Sequence, residues 1–216
     1  MTRILCTIMI VVCMVSTSGA TPTVYHDRTT FDADTVPGAV VDFQGYAPDP
    51  FLGYVELCDP AGPPAPCTVD FGPVTMTSTL GSEGAIPNLL VFGPDRYMSH
   101  PSQAILPYHG FLYYEEFILF TDGSTAFIGF DILGDNPSTI TMLVVEADGT
   151  ETAVWCPDHV GVYPEHTAAF CGVTSEKGIT RVSLSSNGQA SGMPMAVLLD
   201  NVGVDTALAA VLAERA

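Results

Sequence analysis

Positive charge is what this chain has least of. Its 216 residues include only 6 Lys and Arg against 24 Asp and Glu, a formal net charge of −18. A surface so acidic repels phosphate backbones and anionic lipid, which excludes nucleic acid and acidic membranes as partners. Metal-type cysteine pairs are missing too, since no Cys-x-x-Cys occurs, and there is no His-Glu-x-x-His. No Gly-x-Ser-x-Gly elbow or phosphate-binding glycine loop is present. After the N-terminus no apolar run is long enough for a membrane helix, which needs about 20 residues. Apolar residues nevertheless make up 47% of the chain and aromatics 9%, which is a folding composition and not a disordered one.

The N-terminus reads as an export signal. Arg3 precedes an apolar stretch from Ile4 to Val15, and Ser16-Thr17-Ser18-Gly19-Ala20 follows. Ser18 and Ala20 are the small residues that a signal peptidase requires, so cleavage is expected after Ala20. Val12 before Cys13 argues against lipidation. Residues 1–20 are thus a signal peptide, and a secreted protein, extracellular or periplasmic, follows. Cleavage removes Arg3 and no acid, which deepens the imbalance by one charge.

Four cysteines remain: Cys58, Cys67, Cys156 and Cys171. In an oxidising compartment they are expected to form disulfides, and sequence proximity favours Cys58–Cys67 and Cys156–Cys171. The loop from Cys58 to Cys67 contains four prolines and a glycine and has no regular structure of its own.

The remaining apolar residues recur with period two, punctuated by Gly, Pro, Asp and Asn, which signals strands and tight turns. Strands are expected at Val40–Phe43, Thr68–Phe71, Val74–Leu80, Thr139–Ala147, Thr150–Trp155, Ala168–Val173, Ile179–Ser185 and Met195–Val204. A hairpin is expected from Phe111 to Leu133 with its turn at Thr121-Asp122-Gly123-Ser124, and another turning at Asp148-Gly149. The stretch from Gly81 to Gly110 is the least strand-like and reads as a long excursion. Only the tail, residues 206–216, looks helical. The fold class is all-β: a single antiparallel β-sandwich over residues 21–205, jelly-roll-like, with a short C-terminal helix.

A family resemblance rests on short motifs. Phe31 followed by Val41-Asp42-Phe43-Gln44-Gly45, then Gly129-Phe130-Asp131, Asp148-Gly149, Phe170-Cys171-Gly172-Val173-Thr174-Ser175 and Leu199-Asp200-Asn201-Val202 mark the chain. The series resembles exported bacterial β-sandwich proteins often found with a PEP-CTERM sorting tail, whose sandwich is similar to carbohydrate-binding jelly rolls. It departs twice: no Pro-Glu-Pro sorting tail follows the last strand, and Gln44 stands where glutamate is usual. The resemblance implies an extracellular sandwich without implying an activity. It also implies a structural calcium site where the first and last strands meet, at Asp42, Gln44 and Asp200.

Other candidate residues come from side-chain chemistry. Aromatic rings stack on the apolar side of a pyranose, and Tyr97, Tyr108, Tyr113 and Tyr114 are the candidate ligand-binding rings, with Trp155 and Tyr163 beside them. Trp155 adjoins Cys156, so core packing against that disulfide is its alternative role. Glu115 and Glu116 are adjacent on a strand, point to opposite faces, and cannot pair as glycosidase carboxylates. His159 and His166 share the Cys156–Cys171 loop with Asp158 and Glu165, a metal cluster or simply an exposed polar loop. The leading expectation is a non-catalytic binding or structural module of the cell exterior, with carbohydrate as ligand. The competing one is an extracellular hydrolase acting on polysaccharide.

Overall fold

The computed structural model describes residues 21–58, 66–78, 88–94, 103–108, 117–134, 140–157, 168–186 and 197–205. They form one α-helix, α1 (Arg28–Asp34), and twelve strands. The strands are β1 (Thr23–Tyr25), β2 (Ala39–Val41), β3 (Tyr54–Glu56), β4 (Cys67–Asp70), β5 (Val74–Ser78) and β6 (Asn88–Phe92). They continue with β7 (Ala104–Tyr108), β8 (Phe117–Gly134), β9 (Ile140–Glu146), β10 (Glu151–Cys156), β11 (Ala169–Ser186) and β12 (Val197–Val204). Every pairing is antiparallel.

The two 18-residue strands, β8 and β11, organise the rest. They pair with each other at both ends, but the register slips between Thr174 and Ile179 and again between Ile179 and Arg181. On one side of that slip β11 takes β1 as its other neighbour and β8 takes β12. On the far side β11 takes β9 and β8 takes β5. Two sheets result. Sheet 1 runs β1-β11-β8-β12-β7-β6-β3, with β2 also on β12, and sheet 2 runs β10-β9-β11-β8-β5-β4. Strands that change sheets at an irregularity are how sandwiches turn a corner.

Side chains alternate accordingly. Ile128, Phe130 and Ile132 of sheet 1 and Met76, Met142, Val144, Val182 and Leu184 of sheet 2 belong to one fully buried core. The architecture is therefore the expected antiparallel sandwich. Its two open edges are each stapled across the sheets. Cys58, just past β3 of sheet 1, bonds Cys67 of β4 in sheet 2 (Cα–Cα 5.9 Å), and Cys156 of β10 bonds Cys171 of β11 (Cα–Cα 5.5 Å).

The outer face of sheet 1 has its own small core. Gly129 and Gly172 sit opposite each other on β8 and β11, and the Phe31 ring of α1 lies over them. A Cβ added to either glycine would stand 2.7–2.9 Å from the rings of Phe31 or Phe170, so these positions need glycine for the close approach. Phe31 also meets Phe127 edge-on at 5.5 Å and Tyr25 at 5.4 Å.

Four expectations are corrected. No turn occurs at Thr121–Ser124; β8 runs through, with Thr121 opposite Val74 and Thr125 opposite Ile179, and the extra residues are absorbed in the slip. Likewise Ala168–Val173 and Ile179–Ser185 are one strand, and the intervening residues form a bulge that uses Gly178 at φ 78°. The stretch from Gly81 to Gly110 holds the β6–β7 hairpin, unrecognised because Leu89, Leu90 and Val91 are all buried and do not alternate. A helix occurs at Arg28–Asp34, N-capped by Asp27, whose carboxylate accepts the Thr30 N–H at 2.8 Å. The expected signal peptide, residues 1–20, and tail helix, residues 206–216, lie outside the described residues.

Because each disulfide ties an edge of one sheet to the other, the double variant C156S/C171S should lose about 2–3 kcal/mol of stability and about 5–10 °C in Tm. Thermal unfolding followed by circular dichroism checks this; an unchanged Tm contradicts the stapling role.

Candidate functional site

The expected site residues are placed unevenly. Tyr97, Tyr113 and Tyr114 lie outside the described residues, as do Tyr163, Glu115, Glu116, His159 and His166. Tyr108 ends β7 opposite Asn88. Asp42 and Gln44 are exposed, and the Gln44 backbone N–H donates to the Asp42 carboxylate at 3.2 Å. Asp200 is fully buried on β12, opposite Asp131 of β8. Among the described residues no three His, Cys, Asp or Glu side chains gather so as to hold a metal ion.

Around Asp200 the structure brings together Asp131, Asn201 and Arg28. The Asn201 amide donates to Asp131 Oδ2 at 2.9 Å and to Asp200 Oδ2 at 3.2 Å. Asn201 takes φ 50°, which an asparagine tolerates, where β12 slips register. Arg28 reaches from α1, donates from Nε to Asp131 Oδ1 at 3.0 Å and from Nη2 to the Asn201 carbonyl at 3.2 Å, and lies 4.6 Å over the Phe170 ring. The Arg28 guanidinium supplies the positive partner of Asp131 from within the chain. This cluster fastens α1 onto sheet 1.

The outer face of sheet 2 has no such cover among the described residues. Trp155 is 66% exposed there, although its neighbours Val154 and Cys156 are buried. The alternative of core packing against the disulfide is thereby excluded: Cys156 points inward, so Trp155 points out. Register places Trp155, Thr141 and Ser185 in one row across β10, β9 and β11. The next row is Ala153, Leu143, Ser183, Ile118, Thr77 and Thr68. Hydroxyls and aliphatic groups thus alternate beside an exposed indole. Ser183 Oγ and Arg181 Nε are buried on this face without hydrogen-bond partners, each a cost of about 1–3 kcal/mol if left so.

Two further features compete for attention. A groove of about 570 Å³ lies at the end of α1, walled by Tyr25, Val36, Phe127 and Ser175 with the carboxylates Asp34, Glu176 and Asp205. Behind it, the Ser175 hydroxyl donates to the buried Glu146 and accepts the Lys177 N–H at 3.1 Å. The Lys177 ammonium stands 3.6 Å from Glu146 and 2.9 Å from Asp148. These contacts brace the β11 bulge and leave the Ser175 hydroxyl committed as a donor. Elsewhere the tip Phe51–Leu52 is exposed, held by the Asp49 carboxylate, which accepts both backbone N–H groups and is kept below its usual pKa by them, Leu52 first.

Comparison with known proteins assigns the chain no family. No family model matches the chain, and no curated protein does. Among solved structures, TmCBM61 in complex with β-1,4-galactotriose is similar at 17% identity and TM-score 0.38, covering 63% of this chain and 90% of that one. A CBM29-2 variant complexed with mannohexaose follows at 11% identity and TM-score 0.34, covering 76% and 88%. Scores this low carry no residue-by-residue correspondence.

The electrostatics of the bulge are testable. Asp148 is held down to about 2 from the ordinary 3.8, first by the Thr150 hydroxyl, then by the Lys177 ammonium and the Thr150 N–H. A depressed carboxylate contributes stability that is fully present above its unfolded pKa and is lost as pH falls through its folded pKa, here between about 4 and 2. NMR titration should give an Asp148 midpoint near 2, raised by K177M and raised more by T150V; a midpoint near 3.8 in the parent protein contradicts the bonding.

Proposed function

We propose that the protein is a non-catalytic glycan-binding module of the cell exterior, with Trp155 as its stacking platform. The observation that carries this is the exposure of the chain's single tryptophan on an open strand face. Burying an aromatic ring of this size contributes most where one face is apolar and the edges can hydrogen-bond. A pyranose offers that combination, with C–H groups for the indole and hydroxyls for Thr141 and Ser185 in the same row. Export is supported by the two disulfides and by the N-terminal sequence pattern.

One observation favours the hydrolase reading, namely the groove with Asp34, Glu176 and Asp205, since glycosidases use paired carboxylates. The other carboxylate pair, Asp131 and Asp200, is fastened to Asn201 and Arg28 beneath α1. Among the described residues, the rows nearest Trp155 present Thr, Ser and aliphatic groups, and Glu151 on the same face is paired with Arg181, where such chemistry would need two facing acids.

A single tryptophan makes the test direct. Titration with β-1,4-linked glucan, mannan, galactan and xylan oligosaccharides should change the indole fluorescence saturably with at least one of them. Measured by titration calorimetry, since the variant has no indole, W155A should weaken binding of that ligand at least about thirtyfold, the about 2 kcal/mol of a hot-spot aromatic, with unchanged circular dichroism. W155A binding as tightly as the parent contradicts the platform. Release of reducing ends, lost in D205N or E176Q, shifts the function to the hydrolase.

A further inference from the structure

We infer that the glycan taken by the Trp155 face is uncharged, and that Glu151 is the residue that keeps anionic sugars out. The inference rests on the glycan-binding reading and concerns the same face. Its ground is the charge distribution. The chain carries a net charge of −18, yet only three of the described outward residues of sheet 2 are charged: Glu151, Arg181 and Asp70. Asp70 lies at the far edge on β4, where its carboxylate accepts the Gly72 N–H at 2.8 Å. Arg181 and Glu151 neutralise each other at 3.5 Å. The other described outward residues of this face are therefore hydroxyl and hydrocarbon groups, on a chain with 24 acidic and 6 basic residues.

Recognition of a uronate or a sulfated sugar needs a free base. Every described lysine and arginine is already paired: Arg28 with Asp131 at 2.9 Å, Lys177 with Asp148 at 2.9 Å, and Arg181 with Glu151. Among the described residues Arg181 is the one cation on this face, and an anionic sugar would have to displace Glu151 against the repulsion of an acidic protein. A neutral sugar faces no such competition.

Indole fluorescence tests this on the full mature protein, with neutral β-1,4-linked oligosaccharides against oligogalacturonate and a sulfated oligosaccharide of similar length. Titrations run at about 20 mM and about 500 mM NaCl, which spans weak to strong screening. The expected result is binding of a neutral glycan with a Kd that salt changes less than about twofold, and anionic glycans at least about tenfold weaker at low salt. E151Q, which frees Arg181, should narrow that preference by strengthening oligogalacturonate binding; an unchanged preference overturns the role of Glu151. An anionic glycan that binds more tightly than the neutral ones, is lost at high salt and, by titration calorimetry because the variant has no indole, is no longer bound by W155A overturns the uncharged ligand and leaves the glycan-binding reading standing. No response to any glycan overturns that reading and this inference with it.

Discussion

Two strands of 18 residues, β8 and β11, hydrogen-bond to one another at both ends and yet serve two sheets. What permits this is the register slip at Ile179, with Gly178 at positive φ and the Thr121 hydroxyl donating to the Ile179 carbonyl at 2.9 Å. A continuous ladder would leave one flat sheet with two exposed apolar faces. The slip turns the strands a corner, and one set of inward side chains becomes a shared core. The buried Glu146 and its partners Ser175 and Lys177 sit at this corner, so a buried carboxyl group braces the backbone where the register slips.

The corner gives the molecule two unlike outer faces. On sheet 1, α1 closes over paired glycines and Arg28 fastens it to Asp131, so the aromatic rings Phe127 and Phe170 are covered by Phe31. On sheet 2 no described residue covers the row from β10 to β11, and the one tryptophan stands in it two-thirds exposed. Exposing an indole forgoes about 2 kcal/mol of burial. In the proposed function that exposure serves a ligand with an apolar surface and hydroxyl edges.

Much of this was legible in the sequence where local chemistry decides. The proline-rich loop between Cys58 and Cys67 can do little except close a bridge, and alternation named β5, β9 and β10 within a residue or two. Where tertiary pairing decides, the sequence misled. Asp122-Gly123 and Asp148-Gly149 carry the same turn dipeptide, yet only the second forms a turn, with Gly149 at φ 83° and its N–H donating to the Glu146 carbonyl at 2.9 Å. Around the first, β5 and β11 hold Thr121 and Thr125 in their ladders. Helix α1 escaped notice because seven residues with two threonines have little propensity and depend on the Asp27 cap and the docking of Phe31. For the site, the tyrosines drew attention while Trp155 was given a core role as its alternative. The signal was present all the same: if Cys156 is in a buried bridge, alternation sends Trp155 outward.

The central claim is that the open face of sheet 2, and not the carboxylate groove beside Tyr25, receives the ligand. Nitrogen-15 NMR on the mature protein tests it most directly, since a single tryptophan gives a single indole N–H signal. Titration with a neutral oligosaccharide should shift that signal together with the amides of Thr141, Leu143, Ser183 and Ser185, leaving those of Tyr25, Asp34 and Glu176 in place. Shifts confined to the groove residues, with the indole signal unmoved, would contradict the account.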